Sequence, residues 1–187
     1  MNNPYASGVL KEEHHSRLVA DLDRFAHDAG ISPIWLATSM VGVCGNEEIA
    51  FTKSFRKRKA NGGKVGLCYT GTQGEPSVED RMAAMTGCFL RNFIRARLMT
   101  LGRVVEHIKD GAMPEASVLL IPNFFLTKAE GGAISDWRVA ELLDLLMQRQ
   151  LDGQDTVIYL SSFKSLGTEY GSQFVTFIGN HYQEICL

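Results

Sequence analysis

Much that would classify a protein at once is missing from this 187-residue chain. No apolar run approaches the roughly 20 residues that a membrane-spanning helix needs. The opening stretch "MNNPYASGVLKEEHHSR" has no basic segment followed by an apolar one, so a secretory leader is not expected. The expected location is the cytoplasm, with no membrane partner. Cys44, Cys68, Cys88 and Cys186 are widely spaced and form no CxxC pair, so neither a zinc site nor a disulfide framework is expected. Cys68 and Cys186 sit in apolar strand-like runs and are expected as buried free thiols. His14 and His15 are adjacent, so on a helix they point to different sides and a shared metal is disfavoured. There is no GxSxG nucleophile elbow and no histidine placed to serve one. Internal repeats and low-complexity tracts are also absent. The formal net charge of −2 excludes a surface that coats nucleic acid wholesale; any basic patch must be local.

What is present is an ordinary globular composition, 45% hydrophobic and 21% charged, on a chain long enough for one sizeable core. Residues 11–29 place Leu18, Leu22, Phe25 and Ala26 at helical spacing, and Gly30 stops the run. "ISPIWLATSMVGVCG" is irregular but apolar enough to pack down. Asn46 is expected to cap a helix through about Lys59, with Glu47 and Glu48 in its first turn.

Strands and helices then alternate. Strands are expected at 64–70, 93–99, 117–125, 155–162 and 182–187. Helices are expected at 77–92, with Ser77 as N-cap, at 101–111 and at 136–151, with Ser135 as cap; a short one falls within "EYGSQFVTFIGN". The 93–99 strand alternates apolar and basic residues, so it belongs near a sheet edge. Its Arg95 and Arg97 are expected to pair with acidic neighbours. The 117–125 run is continuously apolar, as in an interior parallel strand. Such alternation gives a mostly parallel five-stranded sheet covered by helices on both faces. In such sheets ligands bind at the carboxyl ends of the strands. An N-terminal helical segment, residues 1–60, leads into an α/β core over residues 61–187, together one compact domain.

The first strand-to-helix turn carries the informative stretch, "VGLCYTGTQGEPSVEDRMAAM" (65–85). A phosphate loop aims successive backbone N–H groups and a helix N-terminus at an anion, with a lysine and a magnesium-binding hydroxyl at its end. Here Gly71 and Gly74 remain. Pro76 stands in the final glycine position, Ser77 in the lysine position and Val78 in that of the hydroxyl. From the residues alone, a nucleotide site, its remnant and a plain turn before a helix all stay open.

The texture of the chain from about Leu18 onward resembles the AAA+ ATPase core of DnaC/IstB-type helicase loaders. The resemblance runs through "LDRFAHDAGISPIWLATSM", the "GKVGLCYTG" strand, "RNFIRARLMTLGRVVEHI", "ASVLLIPNFF" in the Walker B place and "DTVIYLSSFKSLGTEYG" in the sensor-1 place. It implies a three-layer P-loop NTPase-like fold, expected here without a helical lid domain. The family's Walker A lysine and magnesium hydroxyl fall on Ser77 and Val78, its Walker B acids on Pro122 and Asn123, and its sensor-1 asparagine on Ser162. Its arginine finger would fall near Gln173 to Phe177, yet no arginine follows Arg149. Glu130 and Asp136 could in principle supply an acid, but neither stands at a strand tip.

The resemblance therefore implies a catalytically degenerate relative, with no catalytic residue and no metal ligand. Gly71, Thr72, Gly74, Ser77 and Ser162 are what is left of a nucleotide site. Bound ATP or ADP with magnesium is not favoured. The expected partner is a protein, either a helicase or related ATPase or a second copy of the chain. DNA is a further candidate partner through the basic run of Lys53, Arg56, Lys57, Arg58, Lys59 and Lys64, touching phosphates without reading bases. A plain solvated helix face accounts for that run equally well. The competing expectation is an active ATPase that uses the N-terminus of the 77–92 helix as a non-standard phosphate loop. Phe124, Phe125 and Leu126 are expected to finish the core, with the following "EGG" a flexible loop, and Trp35 and Trp137 to pack in the core or at its rim.

Overall fold

A computed structural model describes residues 3–61, 63–125 and 136–187. Five parallel strands form one sheet in the order β2-β3-β4-β1-β5. They are β1 (Gly66–Thr70), β2 (Ala96–Leu98), β3 (Val118–Ile121), β4 (Asp155–Tyr159) and β5 (Tyr182–Cys186). The chain enters β1, crosses to β2 at the far edge through α6 (Val78–Arg91), and returns stepwise through α7 (Leu101–Lys109) and α8 (Asp136–Leu151). After β4 it continues through α9 (Phe163–Tyr170) and α10 (Ser172–His181) into β5 on the other edge.

Side-chain alternation along the strands builds two cores. Leu67, Tyr69, Leu120 and Val157 point to one face, where α6 supplies Met82, Met85 and Phe89. Phe51 and Phe55, from α4 (Asn46–Lys53) and α5 (Phe55–Asn61), join that core. Cys68, Leu119, Ile121 and Ile158 point to the other face, against α7, α8 and α10. The result is the three-layer α/β arrangement expected. The first three helices, α1 (Glu12–Ala20), α2 (Leu22–Ala29) and α3 (Ile34–Ala37), make a small cluster of their own around Leu10, Leu18, Ala26 and Leu36, with Leu90 of α6 against it. Buried His15 ties that cluster to α6. Its Nδ1 accepts from the Lys11 amide at 2.8 Å, and its Nε2 donates to the Arg91 carbonyl at 3.1 Å.

Several local expectations need correction. The 11–29 helix breaks at Asp21, and the 46–59 helix at Ser54. Gly45, rather than Asn46, is the residue before α4, and the Glu48 carboxylate accepts its amide. β3 stops at Ile121 because Pro122 has no N–H for a ladder bond. α9 was not expected, since Gly167 weakens its helix pattern; its signal is the spacing of Phe163, Leu166 and Tyr170. Cys186 is exposed, because alternate residues of the edge strand β5 face outward; Cys68 is buried and all four thiols are free. Phe124 completes the core as expected, in edge contact with Phe174 at 6.0 Å. Arg95 pairs with Glu115 at 3.0 Å, whereas Arg97 bonds the Asp28 carbonyl rather than an acid. Leu126, Glu130, the EGG loop and the Ser135 cap lie outside the described residues.

Candidate functional site

The loop over 71–77 leaves the carboxyl end of β1, beside the end of β4. Here the chain turns to one face through α6, while the connection after β4 runs to the other, so the connections diverge at this point. Gly71 has φ +97, a conformation that favours glycine, and its amide donates to the Ser161 carbonyl at 3.3 Å. The Tyr159 hydroxyl donates to the Gly71 carbonyl at 3.0 Å. Thr72 and Gly74 are exposed, with open space around Gly74. Gly71, Thr72, Gly74, Ser77 and Ser162 are thus brought to one end of the sheet.

The N-terminus of α6, where an anion would sit, is filled by the chain's own groups. Ser77 Oγ accepts the Asp80 amide at 3.1 Å and donates to the Asp80 carboxylate at 2.8 Å. Pro76 offers no N–H. From Gly71 to Asp80 the acids are Glu75, Glu79 and Asp80, and no lysine or arginine is present. A helix N-terminus favours negative charge, and these carboxylates supply it.

The first cation beyond them, Arg81, is engaged by the protein itself. Its Nε donates to the Pro76 carbonyl at 3.1 Å, and its guanidinium pairs with Glu48 at 2.9 Å. Glu48 is 1% exposed and also accepts the Tyr69 hydroxyl at 2.9 Å. Burial and the Glu48 carboxylate together raise the Tyr69 pKa, and they push the neighbouring Cys44 thiol up to about 12. Burial lowers the Arg81 pKa, but the bond to Glu48 and its charge more than offset that, so the guanidinium stays charged. Sequence reasoning missed this cluster. Its signals are a tyrosine inside an apolar strand, which needs a partner when buried, and a glutamate in the first turn of a helix.

At the neighbouring strand tips, Pro122 is half-buried and Asn123 is exposed. Asn123 Oδ1 accepts the Phe125 amide at 3.2 Å, a bond within its own turn. Ser162 caps α9, accepting the Ser165 amide at 3.1 Å. A cleft of about 460 Å³ lies over these tips, lined by Gln73, Glu79, Thr100, Pro122, Asn123 and Tyr159 among others. Among the described residues its one carboxyl is Glu79, and no lysine or arginine lines it. Among the described residues no group of His, Cys, Asp and Glu could hold a metal ion. Phosphoryl transfer relies on cations and metal at the developing charge; the donor set among the described residues fits neither magnesium nor a triphosphate. Asp136 enters as the first residue of α8.

The basic run divides in two. Arg58 is drawn inward: it pairs with buried Asp155, donates to the Phe51 carbonyl, and lies 3.7 Å from the centre of the Phe51 ring. Lys64 donates to the Tyr182 carbonyl at 2.9 Å. Lys53, Arg56, Lys57 and Lys59 remain exposed on α4 and α5. Of these, Arg56 reaches the Asn92 carbonyl at 3.3 Å. No helix among the described residues is long and apolar enough to cross a membrane.

No protein-family profile and no curated protein matches this sequence. Solved structures do. The DnaC helicase loader superposes with a TM-score of 0.54 at 14% identity, over 83% of this chain and 99% of that one. DnaI gives a TM-score of 0.57 at 12% identity, over 83% and 90%. The replication initiator DnaA, bound to AMPPCP and single-stranded DNA, gives 0.56 at 13% identity, over 80% of this chain and 50% of that one. At these identities the likeness is one of fold: the chain has the P-loop NTPase-like α/β fold of the AAA+ domains of replication helicase loaders and initiators.

Proposed function

We propose that this chain is a non-hydrolysing binding module of a DNA-replication or mobile-element machine, acting in the cytoplasm beside a helicase or related ATPase. The observation that carries this is the N-terminus of α6, where Ser77 and Asp80 satisfy each other in the place of a phosphate and no cation stands within the loop. Pro122 and Asn123 at the tip of β3 leave no pair of carboxylates to hold magnesium. A charge-assisted contact contributes roughly 1.5–3 kcal/mol. Loss of the lysine alone would weaken triphosphate binding by about one to two orders of magnitude. Loss of lysine, metal ligands and finger together removes most of the stabilisation on which phosphoryl transfer depends.

The fold's replication-protein likenesses make a protein partner, a second copy or DNA the natural ligands. For DNA, the exposed Lys53, Arg56, Lys57 and Lys59 offer phosphate contacts; a small footprint of this kind predicts weak, salt-sensitive binding. Phosphate release by the purified chain with ATP and magnesium is expected to stay at background, while a replicative helicase or single-stranded DNA shifts its sedimentation. Robust magnesium-dependent hydrolysis would refute the proposal.

A second reading has the cleft of about 460 Å³ over the strand tips in its favour. In it, a nucleotide is held by backbone at the start of α6. Ser77→Ala and Gly74→Val would then each weaken binding of a fluorescent ATP analogue sharply. Unchanged affinity, or none to begin with, removes it.

A further inference from the structure

A broad concavity among the described residues lies at the opposite end of α6 from the phosphate-loop position, and nothing in the proposed function uses it. It measures about 610 Å³ and opens between α1, α2 and the edge strand β2. Its apolar floor includes Leu18 and Phe25. Arg17, Arg95 and Arg97 surround it. Arg17 is exposed and makes no ion pair among the described residues. Arg95 shares an exposed pair with Glu115, which a stronger carboxylate ligand can displace. Arg97 uses Nε on the Asp28 carbonyl, leaving its terminal nitrogens available. Among the described residues Asp28 is the one acid in the lining, against three arginines, on a chain whose net charge is −2.

Phe93 stands at the mouth. It is 72% exposed and has φ 59, the one non-glycine residue with positive φ among those described. Its ring stacks on that of His15, with centroids 6.1 Å apart and planes within 18°. A phenylalanine in the left-handed region, facing water, opposes both backbone preference and the hydrophobic effect. The backbone conformation belongs to the C-terminal cap of α6, where the Ile94 amide donates to the Phe89 carbonyl at 2.9 Å, and it holds the ring out at the mouth.

We propose that this groove is the docking site for a short acidic segment of a partner protein, one that carries an apolar anchor between carboxylates. The anchor fills the floor against Leu18 and Phe25 and packs on Phe93. The carboxylates pair with Arg17 from the helix side and with Arg95 and Arg97, two residues apart on the same side of the strand. Apolar pocket, exposed aromatic and arginine rim are the ingredients of a binding hot spot. Guanidiniums spaced along a groove suit several carboxylates on an extended chain better than a single headgroup.

The test uses the full chain and a fluorescein-labelled peptide with Leu-Phe flanked on both sides by aspartates, read by fluorescence anisotropy. Saturable binding is expected, weakened by salt and by about tenfold or more on replacing the aspartates with asparagine. Arg17→Glu and Arg97→Glu should each weaken it by a similar factor, and Phe93→Gly should weaken it too. Glycine fits φ 59, so the Phe93→Gly chain is expected to fold, and circular dichroism checks that it does. Absence of saturable binding up to millimolar peptide would overturn the proposal, as would affinities unchanged in the folded variants. Binding of acyl-carboxylate vesicles but not of the peptide would overturn it in favour of lipid. Dimerisation of the chain that is lost in Phe93→Gly would overturn it in favour of a second copy. Because the groove is remote from the loop, these outcomes stand apart from the ATP-turnover result.

Discussion

Replacing Glu48 by glutamine keeps the shape of the side chain and removes its charge. In the native fold that carboxylate accepts three donors: the Gly45 amide, the Tyr69 hydroxyl and the Arg81 guanidinium. Glutamine has one carbonyl oxygen and must turn its NH₂ toward one of those donors. Breaking a buried ion pair by neutralising one partner costs about 3–5 kcal/mol. The Arg81 side chain is 20% exposed, so water recovers part of this and the lower end, about 3 kcal/mol, applies. For a chain of this length each kcal/mol moves the melting temperature by about 2–4 °C, so Glu48→Gln should lower Tm by roughly 6–12 °C. Urea titration followed by circular dichroism measures the loss directly. The pair also fixes the loop, since Arg81 holds the Pro76 carbonyl. Adding Arg81→Met to Glu48→Gln should therefore cost much less than the two changes summed, by about 1 kcal/mol or more. A loss below 1 kcal/mol in the single variant, or simple additivity in the double, would refute this account of what holds the loop.

Three further outcomes follow from particular contacts. Burial outweighs the attraction of Arg58 and raises the Asp155 carboxyl to about 6 from an ordinary 3.8. The folded chain then keeps that proton longer than the unfolded one, so this group's contribution is full below about pH 4 and is lost as pH rises through about 6. The difference is about 3 kcal/mol; Asp155→Asn should remove that fall from the urea midpoints measured between pH 4 and 7, and a variant with the wild-type slope would contradict it. Ser77→Ala, which deletes the cap of α6, should cost about 1 kcal/mol of stability and leave ATP turnover at its background value. Gly66→Ala would set a methyl 2.2 Å from the buried Tyr182 ring, and the displacement should cost about 1–3 kcal/mol in the same urea assay.

Period and punctuation in the sequence were enough to place the five strands, the major helices and the parallel sheet. A continuous apolar run such as 118–121 is stable only when covered on both faces, and Ser77 three residues before Asp80 can hardly be anything but a helix start. The residues at the phosphate-loop position were equally visible, because the absence of a lysine from 71–80 is a fact of chain identity. Tertiary structure alone decided what the remaining charges do. Arg58 looked like one more cation on a solvated helix until the fold set Asp155, 97 positions away, beside it. Glu48, Tyr69 and Arg81 carry no shared motif and meet because α4, β1 and α6 pack on one face of the sheet. The groove beneath Phe93 has no linear signature, since Arg17 and Arg97 are eighty positions apart in the chain and line one groove only once α2 packs on β2 and carries α1 with it. Local pattern reports what each segment prefers to be. Which ionised groups neutralise one another depends on distances that exist only after the chain has closed.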